Sequence, residues 1–368
     1  WIYRTALEIA KAKNHQEIVT ILENAPIASA SNLNGDQINQ LENGDDTLEL
    51  INAENAHLKG FISAMRKDKH KILDVITFKD VQEETHIGGC VKEVTISGKG
   101  KFAKKELKQF DHKSLQRFLL ENEPLIQFRH PCIVDIIGFD YGDAQHPPSI
   151  YLALEPTSLE QAIHEHYLAP EEKNRIIVEI VLGMRYIHSN KFIHRDLKPA
   201  NILLSQNKHV RISDFGLAKE ESLETLQSKG IGTLRFMAPE LFEDNDGKDH
   251  CKGYTNKVDV YSFGIILICI LTEEYPPYKL SDILNGVSPT LPTSIVSWVA
   301  ELVQRCLEKS PNDRPTFSDI FHILKSHNFD LFNEINPVEP TIQQRRSKEE
   351  IEHRILKIEA FEYQVKLS

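Results

Sequence analysis

Apolar and polar positions divide the chain into stretches of different period. Between Thr5 and Ala25, the residues Leu7, Ile9 and Ala10 form one short apolar helix face. Ile18, Val19, Ile21 and Leu22 form a second, and Asn14-His15 can turn between them. Residues 26–46 carry Pro, Ser, Asn, Gly and Asp with little periodicity and read as a linker. From Leu48 to Ile76 the positions Leu48, Ile51, Asn55, Leu58, Ile62, Met65, Lys69, Ile72 and Ile76 recur at alternating three- and four-residue steps. That spacing suits a weak coiled coil with polar Asn55 and Lys69 on the seam, or a solvated helix packed on its own neighbouring domain. Beyond residue 78 the pattern shifts to short β-rich stretches, at 91–96 and 150–154, and then to helical segments at 171–189, 258–271, 294–307 and 316–324. A strand-rich half followed by a helix-rich half predicts an α+β architecture of two lobes with a cleft between them. The tail, 333–368, has a proline break (Pro337, Pro340) and then a charged helical stretch over 348–365 in which no chemistry is evident.

Composition narrows the function classes. At 368 residues the chain is long enough for two domains, or for one large domain with appendages. The charge balance, 43 − 54 = −11, argues against general nucleic-acid binding and against attachment to acidic lipid. Cys90, Cys132, Cys251, Cys269 and Cys306 are scattered and include no Cys-x-x-Cys pair, so a reducing, cytoplasmic setting is expected rather than a disulfide framework or zinc knuckle. The longest strongly apolar run, 263–271, is far shorter than the roughly 20 residues of a membrane span. No secretory signal opens the chain, and its start at Trp1 suggests a fragment.

Within residues 1–25 the order Thr5-Ala6-Leu7, Ile9-Ala10, Asn14, Glu17-Ile18-Val19 and Leu22 resembles the second half of an ankyrin repeat. A single repeat cannot bury its own faces, so the resemblance implies further repeats upstream and a protein partner for the array.

The strongest signal is His194-Arg195-Asp196-Leu197-Lys198-Pro199-Ala200-Asn201. Eighteen residues after Asp196 comes Asp214-Phe215-Gly216, and 26 residues after Asp214 the triplet Ala238-Pro239-Glu240 ends. This ordered set resembles the eukaryotic protein kinases over roughly residues 78–332. The resemblance implies a bilobal kinase domain at 77–332, preceded by the partial ankyrin repeat (1–25) and linker (26–76) and followed by the tail. Phosphoryl transfer needs positioning and charge neutralisation more than covalent chemistry. By resemblance, Asp196 orients the attacking hydroxyl and accepts its proton, and Lys198 meets the transferring phosphate. Asn201 and Asp214 offer hard oxygen ligands suited to Mg²⁺. His194 is expected to pack against Phe215 rather than to act as an acid or base.

In Phe102-Ala103-Lys104-Lys105, strand alternation puts Ala103 and Lys105 on one face and Lys104 on the other. The resemblance assigns Ala103 to the adenine and Lys105 to the phosphates, with Lys104 the open alternative. Glu121, nine residues before His130, is the implied carboxylate partner of Lys105. The family's glycine-rich phosphate loop is shortened here to Ile87-Gly88-Gly89-Cys90-Val91. Val91 is preferred as the residue over adenine, with Val94 as the other option. The linker between lobes is also short, with Glu155 and Thr157 facing adenine and Leu203 completing the nucleotide-contacting set. Thr233 resembles the threonine that bonds Asp196 and Lys198. Asp259 looks like the buried prop of the catalytic loop, and Arg314 like the partner of Glu240. Lys198 and Thr233 point to the Ser/Thr branch. Asp259-Val260-Tyr261-Ser262-Phe263-Gly264 and Arg314-Pro315-Thr316-Phe317 resemble the tyrosine-kinase-like group.

The implied function is a Ser/Thr protein kinase that binds ATP and Mg²⁺ and phosphorylates protein hydroxyls. The alternative is a pseudokinase or scaffold whose short glycine loop fails to cover phosphates. An adaptor role through the ankyrin array is compatible with either.

Overall fold

The computed structural model describes residues 74–75, 81–88, 91–107, 118, 122, 125, 128–140, 147–215, 234–242, 254–277, 279–332 and 342–367. The ankyrin-like segment and the coiled-coil seam lie outside them, apart from a two-residue strand, β1 (Asp74–Val75), within the predicted seam. The described residues fall into two compact units: those up to 119 with 136–152, and those of 120–135 with 153 onward.

The first unit is a six-stranded sheet in the order β1-β5-β6-β4-β3-β2. Its strands are β1, β2 (Val81–Gly88), β3 (Val91–Ile96), β4 (Gly100–Glu106), β5 (Ile136–Asp140) and β6 (Ser149–Ala153). The pairs β2–β3, β3–β4 and β5–β6 are antiparallel, and β1 runs parallel to β5. The β3–β4 turn closes through Lys99 N–H donating to Ile96 O at 3.0 Å. Gly98 and Gly100 sit there at φ +70° and +104°, values that only glycine adopts at no steric cost. Val94, Ile96 and Tyr151 form the buried core of this sheet, with Val81 and Phe102 against it. Alternation dictates the choice, because Val94, Ile96 and Phe102 occupy same-face positions of paired strands.

The second unit is mainly helical. It holds a small sheet of β7 (Thr157–Ser158), β8 (Ile202–Leu204) and β9 (Val210–Ile212). Its helices are α1 (Leu159–His164), α2 (Pro170–Ser189), α3 (Lys257–Thr272), α4 (Leu280–Leu284), α5 (Ser297–Cys306), α6 (Phe317–Ser326) and α7 (Ile342–Leu367). Pro170 opens α2, where a missing N–H costs nothing, and the Glu172 carboxylate accepts from Ala169 N–H at 2.9 Å. Helix α3 is buried from Val258 to Ile270, so it carries no amphipathic stripe and forms the centre of the unit. Thr316 caps α6 and Asp319 reaches back to the Thr316 N–H at 2.9 Å, so the helix starts one residue after the predicted position. Helix α5 starts at Ser297 rather than 294, after a turn in which Ile295 N–H donates to Pro292 O. The architecture is α+β, strands then helices, as expected. No helix among the described residues is long and apolar enough to cross a membrane.

Candidate active site

Asp259, on the first turn of α3, is fully buried and gathers the loop that precedes Asp196. Its carboxylate accepts from the backbone N–H groups of His194 and Arg195 and from His188 Nε2, each at 2.8 Å. Burial pushes this carboxyl up, but the His188 hydrogen bond, the neighbouring imidazoles and the His194 N–H outweigh it and hold the pKa below its ordinary value. Arg195 is thereby held at φ +66°, a left-handed conformation unfavourable for a side chain of this size.

The loop then turns Asp196 toward Lys198 and Asn201. Lys198 Nζ lies 3.1 and 2.8 Å from the two Asp196 carboxylate oxygens. Asn201 Nδ2 donates to Asp196 O at 2.7 Å and to Asp196 Oδ2 at 2.9 Å. Both donors of that amide are spent on Asp196, which leaves the Asn201 side-chain carbonyl as an acceptor. Pro199–Asn201 is a single 3₁₀ turn, which brings residues 196 and 201 within reach of each other.

Strand β9 leads into Ser213 and Asp214, and Ser213 is tied to Asn201. Ser213 N–H donates to Asn201 O at 2.9 Å, and Ser213 Oγ to the same oxygen at 3.2 Å. Asp214 follows at φ +54°, a second strained backbone position. Phe215 is buried next to it, its ring 4.9 Å from His194 and 5.7 Å from Phe128. Phe128 in turn meets Tyr186 and Phe192 edge-on. His194 Nε2 lies 3.0 Å from Ser213 O, an acceptor only, so that nitrogen carries the proton. Burial holds the His194 pKa down, which keeps the ring neutral and packed on Phe215, as its neighbours require.

Glu155 is half-buried, with Arg211 Nε 3.5 Å away, and burial pushes its carboxyl up by more than Arg211 pulls it down. Thr157 lies in the β7–β8 ladder opposite Leu204, and its Oγ1 donates to Gln161 Oε1 at 3.0 Å. Leu203, between buried Ile202 and Leu204, points to the opposite face of β8 and is partly exposed.

In the sheet unit, the register sets Val91 opposite Lys105 and Glu93 opposite Ala103. These four positions share a face, and Val94, 0% exposed, belongs to the other. Lys104 also faces the other side, where it is buried. There Lys104 and Lys92 each touch both Glu84 and Glu106, at 2.8–2.9 Å, in a closed ring of four charges. The ring commits the Lys104 ammonium to the sheet's own carboxylates. Gly88 pairs with Val91, so only residues 89 and 90 connect β2 to β3. Ile87, just before them, is 53% exposed. Gly89, Glu121 and Thr233 lie outside the described residues.

Arg314 is 1% exposed and uses its whole guanidinium. It meets Glu240 with two bonds, at 2.6 and 2.8 Å, and the carbonyls of Glu308, Lys257 and Lys309 at 2.7, 3.1 and 3.2 Å.

The profile of the protein kinase domain family matches residues 85–327. The chain belongs to the protein kinase family. This kinase is 30% identical over 267 residues to a probable serine/threonine-protein kinase of Dictyostelium discoideum, a match covering 68% of the chain and 28% of that protein. It is 34% identical over 228 residues to the serine/threonine/tyrosine-protein kinase HT1 of Arabidopsis thaliana, covering 58% of the chain and 55% of HT1. To mitogen-activated protein kinase kinase kinase 1b of Physcomitrium patens it is 29% identical over 252 residues, 65% of the chain and 31% of that protein. The matches therefore span between about a quarter and about half of these relatives' lengths.

Sequence reasoning overlooked Glu179, a fully buried carboxylate on α2. Its signal was present, since it is the single charge in the apolar run Ile176-Ile177-Val178-Glu179-Ile180-Val181-Leu182. A charge so placed must be paired in the fold.

Proposed function

We propose that this kinase transfers the γ-phosphoryl group of ATP to serine and threonine hydroxyls of proteins, with Mg²⁺ as its metal. The observation that carries the reading is the Asp196 carboxylate held from one side by Lys198 and from the other by Asn201, with Asn201 tied through Ser213 to the position of Asp214. Asp196 orients the incoming hydroxyl and takes its proton; the hydrogen bonds it already accepts leave lone pairs for that step. Lys198, a mobile point charge between Asp196 and the transferring group, neutralises charge as the bond to the hydroxyl forms. Asn201 and Asp214 offer oxygens to the metal. Among the described residues no group of three or more His, Cys, Asp or Glu stands close enough to cage a metal. That donor set suits Mg²⁺, which is held by one or two protein ligands and completes its octahedron with phosphate oxygens and water. When bound, MgATP supplies the phosphoryl group and a charge-neutralised leaving group.

On the sheet, Ala103 and Val91 serve the adenine and Lys105 the phosphates, with Glu121 as its partner. Ile87, Gly88 and Gly89 form the phosphate lid, and Glu155, Thr157 and Leu203 complete the nucleotide contacts. The spacing of Lys198 from Asp196 and the names of the relatives support Ser/Thr preference, and the Asp259–Gly264 motif supports the tyrosine-kinase-like group. The scattered cysteines support a cytoplasmic setting, and residues 1–25 support a protein partner through an ankyrin array.

The test is transfer of labelled γ-phosphate to a generic basic protein. Asp196→Asn is expected to lower kcat by about 10²–10⁴-fold, the usual worth of a positioned base. Lys105→Met is expected to abolish nucleotide-dependent transfer, while Lys104→Met leaves nucleotide affinity unchanged. Equal transfer by wild type, Asp196→Asn and Lys105→Met overturns the assignment.

A further inference from the structure

Helix α7 lies beyond the residues matched by the kinase profile, yet it is built into the second unit. Ile351, Ile355 and Ile358 recur at helical spacing and are buried, at 3, 7 and 0% exposure. Alongside them, Glu350 meets Arg175 at 2.9 Å, Arg354 meets Glu179 at 2.7 Å, and Glu359 lies 3.9 Å from Arg185. The paired numbers rise together along both helices, so α7 runs parallel to α2.

Two polar relays leave this helix. In the first, Arg354 Nε donates to Glu179 Oε1, which also receives His209 Nδ1 at 2.8 Å. The other oxygen of Glu179 accepts the backbone N–H of Val210 at 2.7 Å. In the second, Glu362 Oε1 lies 3.1 Å from His130 Nε2, and His130 Nδ1 accepts the N–H of Cys132 at 3.0 Å. An N–H donates to Nδ1, so the neutral ring must carry its proton on Nε2 and donate it to Glu362. Stacking on Tyr186, at 4.7 Å, keeps the ring in that plane. Cys132 O then accepts the N–H of Ile212 at 2.8 Å.

Both relays end on the same short strand. Val210 begins β9 and Ile212 ends it, and Asp214 follows two residues later. We propose that Arg354 and Glu362 are positioning residues and that α7 is an intramolecular brace, fixing both ends of β9 and through it the placement of Asp214. This rests on the kinase reading for the role of Asp214, but the brace itself is a statement about β9.

The test uses the full chain and two measurements. Amide hydrogen exchange of the nucleotide-free protein reads the brace directly. Arg354→Met is expected to speed exchange at Val210, and Glu362→Leu at Ile212 and Ser213, each by about tenfold or more, as loss of one charge-assisted hydrogen bond implies. Glu362→Gln keeps an acceptor for His130 Nε2–H and is expected to exchange like wild type. Leu356→Ala, on the exposed face of α7 at 64%, is the control. In the transfer assay, Arg354→Met and Glu362→Leu are expected to raise the Mg²⁺ concentration for half-maximal rate several-fold while the KM for the protein substrate holds. Glu362→Gln restores the wild-type value. Exchange at 210–213 and Mg²⁺ dependence no different from the Leu356→Ala control overturn the proposal. So does Glu362→Gln behaving like Glu362→Leu, and in a variant that unfolds outright this conservative pair decides the matter. A wild type that transfers no phosphate overturns the kinase reading alone, because the exchange measurement still judges the brace.

Discussion

Replacing Arg314 with lysine keeps the charge and most of the aliphatic stem, so it isolates what the guanidinium does. Arg314 has five N–H donors, and the five contacts described above use them all: two to the Glu240 carboxylate and three to the carbonyls of Glu308, Lys257 and Lys309. A lysine ammonium has three donors radiating from one point. At least two acceptors in this enclosed site then lose their partner, at about 1–3 kcal/mol each. That sum agrees with the roughly 3–5 kcal/mol that follows from breaking a buried ion pair from one side. For a domain of this size each kcal/mol moves the melting point by about 2–4 °C, so Arg314→Lys is expected to lower Tm by roughly 6–20 °C. Urea unfolding followed by tryptophan fluorescence measures the free energy, and Trp298, stacked 4.0 Å from His327 in the same unit, supplies a probe. Glu240→Gln retains an acceptor and is expected to cost less, about 1–3 kcal/mol. An Arg314→Lys protein that unfolds within about 1 kcal/mol of wild type refutes the argument, since any adequate replacement of five directed bonds by three would then suffice.

Gly264→Ala places a Cβ 2.9 Å from both Cys306 Cβ and Leu307 Cδ2, where α3 crosses the end of α5. The helix-propensity gain of about 1 kcal/mol is outweighed by overpacking of about 1–3 kcal/mol, because the Cys306 Cβ cannot swing aside, and thermal unfolding should show a net loss. Acid should destabilise the second unit. Burial raises the Asp259 and Glu179 carboxyls, but the hydrogen bond from His188 in the one and from His209 in the other, with their further partners, bring both below their ordinary values. Their contribution is therefore fully present above the unfolded-state pKa values, near 3.8 and 4.5, and is lost as pH falls through the lower folded-state values. Unfolding free energies measured between pH 6 and 3 should drop steeply below about pH 4.5 and less so in Asp259→Asn; a flat profile in wild type would count against these pairings.

What was legible in the sequence was whatever local spacing or a contiguous motif encodes. Asp196, Lys198 and Asn201 fall within six residues, and one 3₁₀ turn suffices to assemble them. Asp259 and Arg314 could be named because each stands in a short distinctive run. The faces of Val91 and Val94 needed a register: the two-residue connection after Gly88 sets Val91 opposite Lys105, and Val94 lies buried on the other face. The ends of α5 and α6 moved by a few residues because a proline turn and a threonine cap, rather than apolar period, decide where a helix begins. The tail helix was legible at 348–365, inside the observed Ile342–Leu367, but its contacts were not. Its isoleucines repeat every three to four residues, but Arg354 and Glu179 are 175 positions apart, and nothing local connects them.

The four-charge ring on β2, β3 and β4 also fixes which side of the sheet each of two adjacent lysines, Lys104 and Lys105, faces. Lys92 and Lys104 stand directly opposite each other, a repulsive arrangement tolerable only while Glu84 and Glu106 flank them. Sliding any one strand by a single residue would turn its charged members to the far side and scatter the quartet. A slip of β4 would likewise turn Lys105 to the opposite surface of the sheet. Electrostatics on the face that also buries Val94 and Ile96 thus works like a keyed fitting, and Lys105 on the opposite face inherits its orientation from it.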